Sequence, residues 1–292
     1  MSTFPVAIQS ESLELAGVDV RAVSVGGLET CIELPGWSLA FDIGRCPPTA
    51  IPLKRILITH PHIDHMGGIA HYLGLRDLWG MPPPTCYIPA EYHDDFQALL
   101  ATWRRLDRSD LPCTVVSMKP GDDVELSTGR RVRAFRAVHR IPTLGYALIR
   151  TKGRLLPHLV GKSHEEIAAH RRDGHPVNEQ IEEIEAAFCG DTTIDVLRHP
   201  EVRTAKLLIL ECTFPGTEVS VERARRSGHV HLDELVERIG ELENERILLT
   251  HFSIRVSPRR IVELLDEKIP AEHRHRFVPL LPGPPWQGRR DA

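Results

Sequence analysis

Residues 55–68 read RILITHPHIDHMGG, so a short apolar strand runs directly into three histidines and one aspartate. Side chains two apart lie on the same side of an extended chain, so His60 and His62 point one way, and the turn that follows brings Asp64 and His65 toward the same point. Imidazole nitrogen and carboxylate oxygen are both ligands for zinc. Grouped this closely, they suit two adjacent metal ions better than one closed structural site. A histidine-rich polar loop without chemistry is the alternative interpretation.

The composition is that of a folded protein with many histidines. Of the 292 residues, 41% are hydrophobic, 26% charged and 5% aromatic, which excludes a disordered or fibrous protein. Lys and Arg number 36 against 40 Asp and Glu, so the formal net charge is −4. Because there is no overall basic excess, any contact with nucleic acid must be local. The 16 histidines offer candidates for metal binding and for proton transfer near neutral pH.

Three further candidate ligands follow later apolar stretches. His139 follows residues 131–138, Asp191 follows Gly190, and His251 follows residues 246–250. A single His or Asp at the end of a strand is more often a turn or capping residue. However, the three share the arrangement of the first cluster, and two metal ions need more ligands than one loop supplies. We therefore predict that these three residues join the cluster.

Short apolar stretches alternate with helical patterns along the chain. The predicted strands span residues 38–43, 55–59, 86–89, 114–118, 131–138, 146–150, 186–189, 206–211 and 246–250. Helical spacing of apolar residues predicts helices over residues 91–106, 232–242 and 257–268. Strands that are apolar on both faces need helices on the outer sides of the sheets. The sequence therefore predicts an α/β layered fold rather than an open antiparallel sandwich.

The chain carries no recognisable signal for secretion or membrane insertion. Its first residues lack a basic start followed by an apolar run. No apolar run approaches the ~20 residues that a membrane-spanning helix needs. The six cysteines are scattered without a close pair, which is typical of reduced thiols. These features predict a cytoplasmic protein with no membrane partner.

One stretch interrupts the alternation of apolar elements. Residues 151–180 are polar and contain several glycines and prolines, and residues 150–175 hold six Lys or Arg against three acids. We predict a single domain over residues 1–281 with an inserted arm at about residues 150–180, a segment called the arm below. Residues 282–292 are rich in Pro and Gly, which predicts a mobile tail.

Several motifs carry a resemblance to a known family. They are GGLET (residues 26–30), FDIGRCP (41–47), GDTT (190–193), ECTF (211–214), GHVH (228–231) and THFSIR (250–255). The metal motif alone resembles the metallo-β-lactamase superfamily, whose fold is a four-layer αββα sandwich that binds two zinc ions. The last three motifs make the chain similar to the short, plant-type form of tRNase Z, over roughly residues 24–256.

This resemblance implies a role for each candidate ligand. The implied ligand sets are His60, His62 and His139 for one zinc ion, Asp64, His65 and His251 for the other, and Asp191 as a bridge between the two. Asp64 would also orient the attacking water and accept its proton. Asp42 would lie behind the site as a carboxylate that orients a ligand; capping of the turn at Gly44 is the alternative interpretation.

The resemblance also implies a proton donor and a phosphate contact. His229 would protonate the leaving oxygen, with Glu211 holding its imidazole in the protonated form. Without the resemblance, His229 would be read as a polar residue at the start of the helix over residues 232–242. Ser253 and Arg255 would bind phosphate, Arg255 through its planar guanidinium group. His231 stands where many relatives have a hydroxyl residue, and we assign it no role.

In tRNase Z an insertion at the position of the arm grips the body of tRNA. The resemblance therefore implies phosphate contacts from the basic residues of the arm. Those residues are Lys152, Arg154, Lys162, Arg171 and Arg172. A solvated surface loop is the alternative interpretation. The arm lacks the dense Gly and Pro motif of the longer bacterial form, so the resemblance does not define how the arm grips tRNA.

Taken together, the motifs predict a zinc-dependent endoribonuclease that removes 3′ trailers from precursor tRNA. The resemblance favours a homodimer. One alternative is another hydrolase of the same fold that acts on a small phosphodiester or a thioester with the same two zinc ions. A second is a catalytically silent metal-binding subunit of an RNA-processing complex, although silent relatives tend to lose ligands and all of them are present here.

Overall fold

The structure is a computed structural model that describes residues 10–281, so the predicted tail over residues 282–292 lies outside the described residues. The strands are β1 (Glu11–Leu15), β2 (Val18–Val25), β3 (Glu29–Leu34), β4 (Leu39–Phe41), β5 (Arg55–Leu57), β6 (Thr85–Pro89), β7 (Thr114–Met118), β8 (Asp123–Ser127), β9 (Arg130–Ala137), β10 (Thr143–Leu155), β11 (Asn178–Phe188), β12 (Leu207–Glu211), β13 (Arg246–Thr250) and β14 (Phe277–Pro279). The helices are α1 (Ile63–Met66), α2 (Ile69–Leu78), α3 (His93–Asp107), α4 (His164–Arg172), α5 (Pro200–Thr204), α6 (Val221–Ser227), α7 (Leu232–Glu237), α8 (Pro258–Lys268) and α9 (Ala271–Arg274).

The two halves of the described chain form two sheets of the same construction. The first sheet has the order β1 to β7, antiparallel up to β4 and parallel from β4 onward. The second has the order β14 to β8, in which β8 to β11 are antiparallel and β11 to β14 parallel. Because parallel strands end on the same side, each sheet gathers the carboxyl ends of its parallel strands at one edge, where ligands usually bind in such sheets.

Three apolar clusters separate four layers. The inner cluster lies between the sheets, where Phe41 stacks on Tyr146 and Phe188 with ring centroids 6.0 and 5.0 Å apart. A second cluster packs α2 and α3 on the first sheet, and a third packs α7 and α8 on the second. Successive residues of β12 alternate between the inner cluster and an outer one, which is why this strand is apolar on both faces. The fold is therefore the four-layer αββα sandwich that the family resemblance implied.

Each predicted strand is present, but strands β1, β2, β3, β8 and β14 were not predicted. Strands β1 and β8 bury little more than one face, so neither has the run of apolar residues that predicts a strand buried on both faces. Strand β3 is buried throughout although it carries Glu29 and Glu33, residue types that are rarely buried. The helix predicted over residues 232–242 ends at Glu237, and a 3₁₀ turn over Ile239–Glu241 follows it.

The arm continues the second sheet instead of leaving it. Strand β10 runs on to Leu155, β11 begins at Asn178, and the two strands pair along this whole length. Helix α4 lies between them, and Ser163 and Glu166 form a capping box at its start. The sequence predicted strands that end at residue 150 and begin at residue 186, because the extension beyond them is mostly polar. In the structure most residues of this extension are half-buried or exposed.

The remaining structural expectations concern cysteines and membrane spans. All six cysteines lie in the described range and are free, five of them buried and Cys113 half-buried. This agrees with the prediction of reduced thiols. Among residues 10–281, no helix has both the length and the apolar character to cross a bilayer.

Gly44 allows the chain to pass close to the histidine-rich loop. A Cβ at Gly44 would lie 2.3 Å from the carbonyl oxygen of Asp64 and 2.7 Å from the amide nitrogen of Thr30. Because both are backbone atoms, the loop would have to move. We expect Gly44→Ala to lower the free energy of unfolding by roughly 2 kcal/mol or more in denaturant titration. Gly240→Ala is the control, since a Cβ there meets nothing within 4 Å, and equal effects of the two changes would contradict this reading of Gly44.

Candidate metal centre

The seven predicted ligands lie together at one edge of the sandwich. Each comes from the end of a strand or from the turn after it: His60 and His62 follow β5, Asp64 and His65 lie in α1, His139 follows β9, Asp191 follows β11 and His251 follows β13. Their ligand atoms fall into two groups, each spanning no more than 4.8 Å: His60, His62, His139 and Asp191 form one, and Asp64, His65 and His251 form the other. A third group of the same span joins Asp191 and His251 to His229. The tertiary structure thus brings all seven together.

Asp191 faces both groups at once. Its Oδ2 lies 3.8 Å from Nε2 of His60, in the first group. Its Oδ1 lies 3.4 Å from Nε2 of His65 and 3.4 Å from Nε2 of His251, in the second group. This is the placement that a bridging carboxylate requires.

The donor atoms fit a cation better than they fit each other. Nε2 of His139 and Oδ1 of Asp191 are buried without a hydrogen-bond partner among the described residues. Nε2 of His60 lies 2.9 Å from Nδ1 of His62, so two ring nitrogens point at the same space. Buried polar atoms without a partner are costly and call for an unseen ion or water. The donor atoms are imidazole nitrogens and carboxylate oxygens, both of which zinc binds.

The histidines of the first ligand group have lowered pKa values, which favours metal binding. Burial lowers the pKa of His60, His62 and His139, in the case of His60 well below its usual value. The neutral imidazole that results at neutral pH has a free lone pair. Metal ligands must be deprotonated to bind, so these three side chains are prepared for a cation by their surroundings.

Two carboxyl groups of the site, Asp64 and Asp191, have lowered pKa values. Burial alone would raise the pKa of Asp64, but the hydrogen bond from His251 and the charge of His65 lower it to about 2. Burial likewise opposes ionisation of Asp191, yet His251 and His65 hold its pKa well below the usual range. Two carboxylates that share a buried site repel each other unless positive charge lies between them. This charge distribution favours binding of a dication.

Asp42 contacts one candidate ligand directly and a second through Thr59. His65 donates its Nδ1–H to Oδ2 of Asp42 over 2.7 Å, which leaves Nε2 free for a metal. Thr59 donates its hydroxyl to the same carboxylate and lies 2.9 Å from Nδ1 of His60. Asp42 thereby reaches both imidazoles, one directly and one through Thr59, which is a common way to fix ligand tautomers. It does not serve as a cap of the turn at Gly44.

Glu211 plays the corresponding part on the second sheet. Its Oε1 lies 2.8 Å from Nδ1 of His229, and its Oε2 accepts the hydroxyl of Thr213 over 2.5 Å. The same hydroxyl oxygen lies 2.9 Å from Nδ1 of His251. Glu211 therefore holds His229 directly and the ligand His251 through Thr213. The role of Thr213 was not predicted, although the residue lies within the ECTF motif.

The backbone of two glycines, Gly228 and Gly27, contacts candidate ligands. His139 donates its Nδ1–H to the carbonyl oxygen of Gly228 over 2.8 Å. A Cβ at Gly228 would lie 2.6 Å from that nitrogen, and φ is +80° there, so glycine alone fits. The amide of Gly27 donates to Oδ2 of Asp64 over 2.9 Å. Neither glycine was predicted to touch the site, because a backbone contact leaves no signal in a side-chain motif.

Two other predicted residues lie beside the cluster rather than in it. Ser253 and Arg255 follow His251 in a turn, and Arg255 is exposed. The amide of Ser253 donates to the carbonyl oxygen of Thr213 over 3.1 Å. His231, which was given no role, caps α7, and its Nε2 donates to the carbonyl oxygen of Gly216 over 2.9 Å.

Most basic residues of the arm are paired with acids. Lys152 pairs with Glu183, and Lys162 lies 3.4 Å from Glu166. Arg154 pairs in the same way with Glu179 over 2.7 Å. Arg171 and Arg172 are exposed in the last turn of α4.

The domain model of the beta-lactamase superfamily matches residues 35–252, in agreement with the fold described above. A similar solved structure is the metallo-beta-lactamase fold protein YhfI from Bacillus subtilis, with a TM-score of 0.59 and 14% identity over 88% of this chain and 92% of that one. Among curated proteins, tRNase Z TRZ1 of Arabidopsis thaliana is 36% identical over 88% of this chain and 93% of the relative. The chloroplastic tRNase Z TRZ2 of the same plant is 34% identical over 95% and 79%. The chain therefore belongs to the tRNase Z family of this superfamily.

The hydrogen bonds of Thr213 generate a prediction about metal binding. Thr213→Val keeps the shape of the side chain but leaves Nδ1 of His251 and a carboxylate oxygen of Glu211 without their shared partner. We expect it to weaken metal affinity about 10- to 100-fold, as is typical for a residue that orients a ligand. Thr213→Ser keeps the hydroxyl and should stay within a few-fold of the native protein. Competition with a chromogenic chelator measures both, and equal affinities of the Val and Ser variants would refute the role.

Proposed function

We propose that the chain is a metal-dependent endoribonuclease that removes 3′ trailers from precursor tRNA by hydrolysing one phosphodiester. The observation that carries this proposal is the pair of His229 and Glu211 beside the ligand cluster. Nδ1 of His229 lies 2.8 Å from Glu211 and 4.0 Å from Oδ2 of Asp191. A proton donor thus stands next to the atoms that would hold the metal, in a chain whose curated relatives are named tRNase Z.

The proposed cofactor is a pair of zinc ions, held by the two ligand groups with Asp191 between them. Bound zinc supplies Lewis-acid chemistry, since it polarises a phosphoryl oxygen and lowers the pKa of water. Asp64 would orient the attacking water and accept its proton, because its pKa of about 2 keeps it ionised at neutral pH. Its second contact, from the amide of Gly27, holds the carboxylate in place.

His229 would deliver the proton that the leaving oxygen needs. Burial alone would lower the pKa of His229, but the Glu211 carboxylate raises it to about 9, so the ring is protonated at neutral pH. As water attacks phosphorus, the bond from phosphorus to the 3′ oxygen breaks and His229 donates its proton to that oxygen. The tRNA product then ends in a 3′ hydroxyl. Glu211 acts through His229 by orienting the ring.

Contacts with the rest of the substrate are proposed at two places. Ser253 and Arg255, in the turn after His251, would bind phosphate next to the site. In the arm, Arg171 and Arg172 are the better candidates for tRNA contact, because Lys152, Arg154 and Lys162 already have acidic partners. Those three residues would contact tRNA only if a phosphate displaced the glutamate with which each is paired.

We also propose a homodimer in the cytoplasm. Large apolar side chains are exposed at the ends of α2 and α3, with Leu78 at 76%, Trp79 at 54%, Trp103 at 42% and Leu106 at 68% exposure. Leu78 and Trp103 line the same cavity. Exposed apolar patches are typical of interfaces, and a second copy of the chain is the partner that the resemblance favours. The cytoplasmic location stays a prediction, since one relative is named chloroplastic.

Purified protein should cleave a precursor tRNA to a product with a 3′ hydroxyl, and a chelator should abolish cleavage because the ligand groups lose their cation. Product ends can be mapped on a sequencing gel, with bis(p-nitrophenyl) phosphate as a parallel substrate. Hydrolysis of the small diester without any RNA product, at any salt concentration, would replace the proposal with a hydrolase of small phosphodiesters. Less than two metal ions per chain together with no hydrolysis would indicate a silent metal-binding subunit.

His229→Ala should reduce kcat for RNA cleavage by ~10²-fold or more, as expected for loss of a general acid. Metal content should not change, because His229 lies outside both ligand groups in this proposal. His71→Ala removes an exposed histidine outside the site and should leave kcat unchanged. Normal turnover by the His229→Ala variant would refute its role as the acid, and loss of metal would assign it to the ligands instead.

A further inference from the structure

A cleft of about 400 Å³ opens next to the ligand His139 and is not used by the mechanism proposed above. One wall is the end of β9 with the loop after it, residues 136–144. The other walls are the turn after β6, which contains Glu91, the loop at Pro120, and a 3₁₀ turn, Ile194–Arg198. The volume is within the roughly 300–1,000 Å³ usual for ligand pockets.

Three arginines line this cleft: Arg136, Arg140 and Arg198. All three are exposed. Among the described residues none of them forms an ion pair, and Arg198 makes only one side-chain hydrogen bond, to its neighbour His199 over 3.4 Å. Glu91 is the sole acid among the described residues that line the cleft. Several unpaired guanidinium groups on a concave surface focus a positive potential there.

The cleft adjoins the candidate metal centre at His139. His139 is one of its lining residues, and Arg140 follows His139 directly. The positive charge of Arg140 also contributes to the lowered pKa of His62, for which burial is the larger cause. A chain of phosphates lying in the cleft would therefore enter the ligand cluster from the side of His139.

The basic residues of the arm and those of the cleft differ in whether they have acidic partners. There the side chains of Lys152, Arg154 and Lys162 are paired with glutamates, and a phosphate would have to displace those partners. The three cleft arginines have no such partner to lose. Guanidinium groups bind phosphate through paired N–H donors, so arginine suits this ligand better than lysine does.

We propose that this cleft binds the sugar–phosphate backbone of single-stranded RNA next to the scissile phosphodiester, with Arg136, Arg140 and Arg198 as phosphate contacts. The inference rests on the proposed function and specifies how its substrate enters the site. A small diester carries a single phosphate, which the ligand cluster takes, and so it gains nothing from the cleft. An RNA chain gains one contact for each phosphate that reaches an arginine.

The test compares two variants that lose the same charge. Arg136→Ala/Arg198→Ala removes two cleft arginines and leaves Arg140, the neighbour of a ligand, in place. Lys54→Ala/Arg105→Ala is the control, because both residues are exposed and lie outside the cleft. Binding of precursor tRNA is measured in the presence of a chelator at several salt concentrations, so that affinity is recorded without cleavage. Hydrolysis of bis(p-nitrophenyl) phosphate is measured with metal.

The cleft variant should bind RNA roughly tenfold more weakly, and the slope of log affinity against log salt should fall by about one for each arginine lost. Its hydrolysis of the small diester should match the native rate, and the control should match the native protein in both assays. Equal losses in the two variants, or an unchanged salt slope, would overturn the inference. If the native protein binds RNA through the cleft but never cleaves it, the proposed function fails and the cleft stands.

Discussion

Two buried carboxylates, Asp42 and Glu211, hold the candidate site together. Neither is a predicted metal ligand, and each is at most 1% exposed. Each accepts a hydrogen bond from a histidine and another from a threonine hydroxyl, and the threonine in turn meets a ligand. A buried charge is tolerated only when its hydrogen bonds are satisfied. These hydrogen bonds have two effects. They stabilise the buried carboxylates, and they fix the orientation of the imidazole rings that take part in them.

This arrangement needs both sheets. Asp42 follows β4 of the first sheet, and Glu211 ends β12 of the second. In the inner apolar cluster, Phe41 of the first sheet stacks on Tyr146 and Phe188, which are paired neighbours on the second sheet, and this packing fixes the position of one sheet on the other. The two groups of ligand atoms approach each other only because that packing is tight, and a shift between the sheets would separate Asp191 from the histidines of the first sheet. The geometry of the candidate site therefore depends on the packing of the core between the two sheets.

The chain has a net charge of −4, yet unpaired positive charge is concentrated next to the candidate ligands. A polyanionic substrate can therefore bind there without an overall basic surface. Counting residues 150–175 gives a basic excess, but the count stops before the acids of β11. Antiparallel pairing places Arg154 opposite Glu179 and brings Lys152 to Glu183, so much of the excess is neutralised within the arm. The arginines of the cleft are far apart in sequence, at positions 136, 140 and 198, and they form no motif. Unpaired positive charge near the ligands is therefore visible only in three dimensions.

The sequence by itself determined the layered fold, the seven candidate ligands and the candidate acid. The candidate ligands follow apolar strands directly, whereas the candidate acid came from the family resemblance that short motifs such as ECTF and GHVH carry. Tertiary structure alone decided which carboxylate faces both ligand groups, which threonines relay hydrogen bonds, where Gly27 and Gly228 approach the site through their backbone, and which basic residues lack a partner. These features join residues as far apart as Thr213 and His251 or His139 and Gly228. Such contacts arise from the packing of two sheets, and no local pattern of residue types records them.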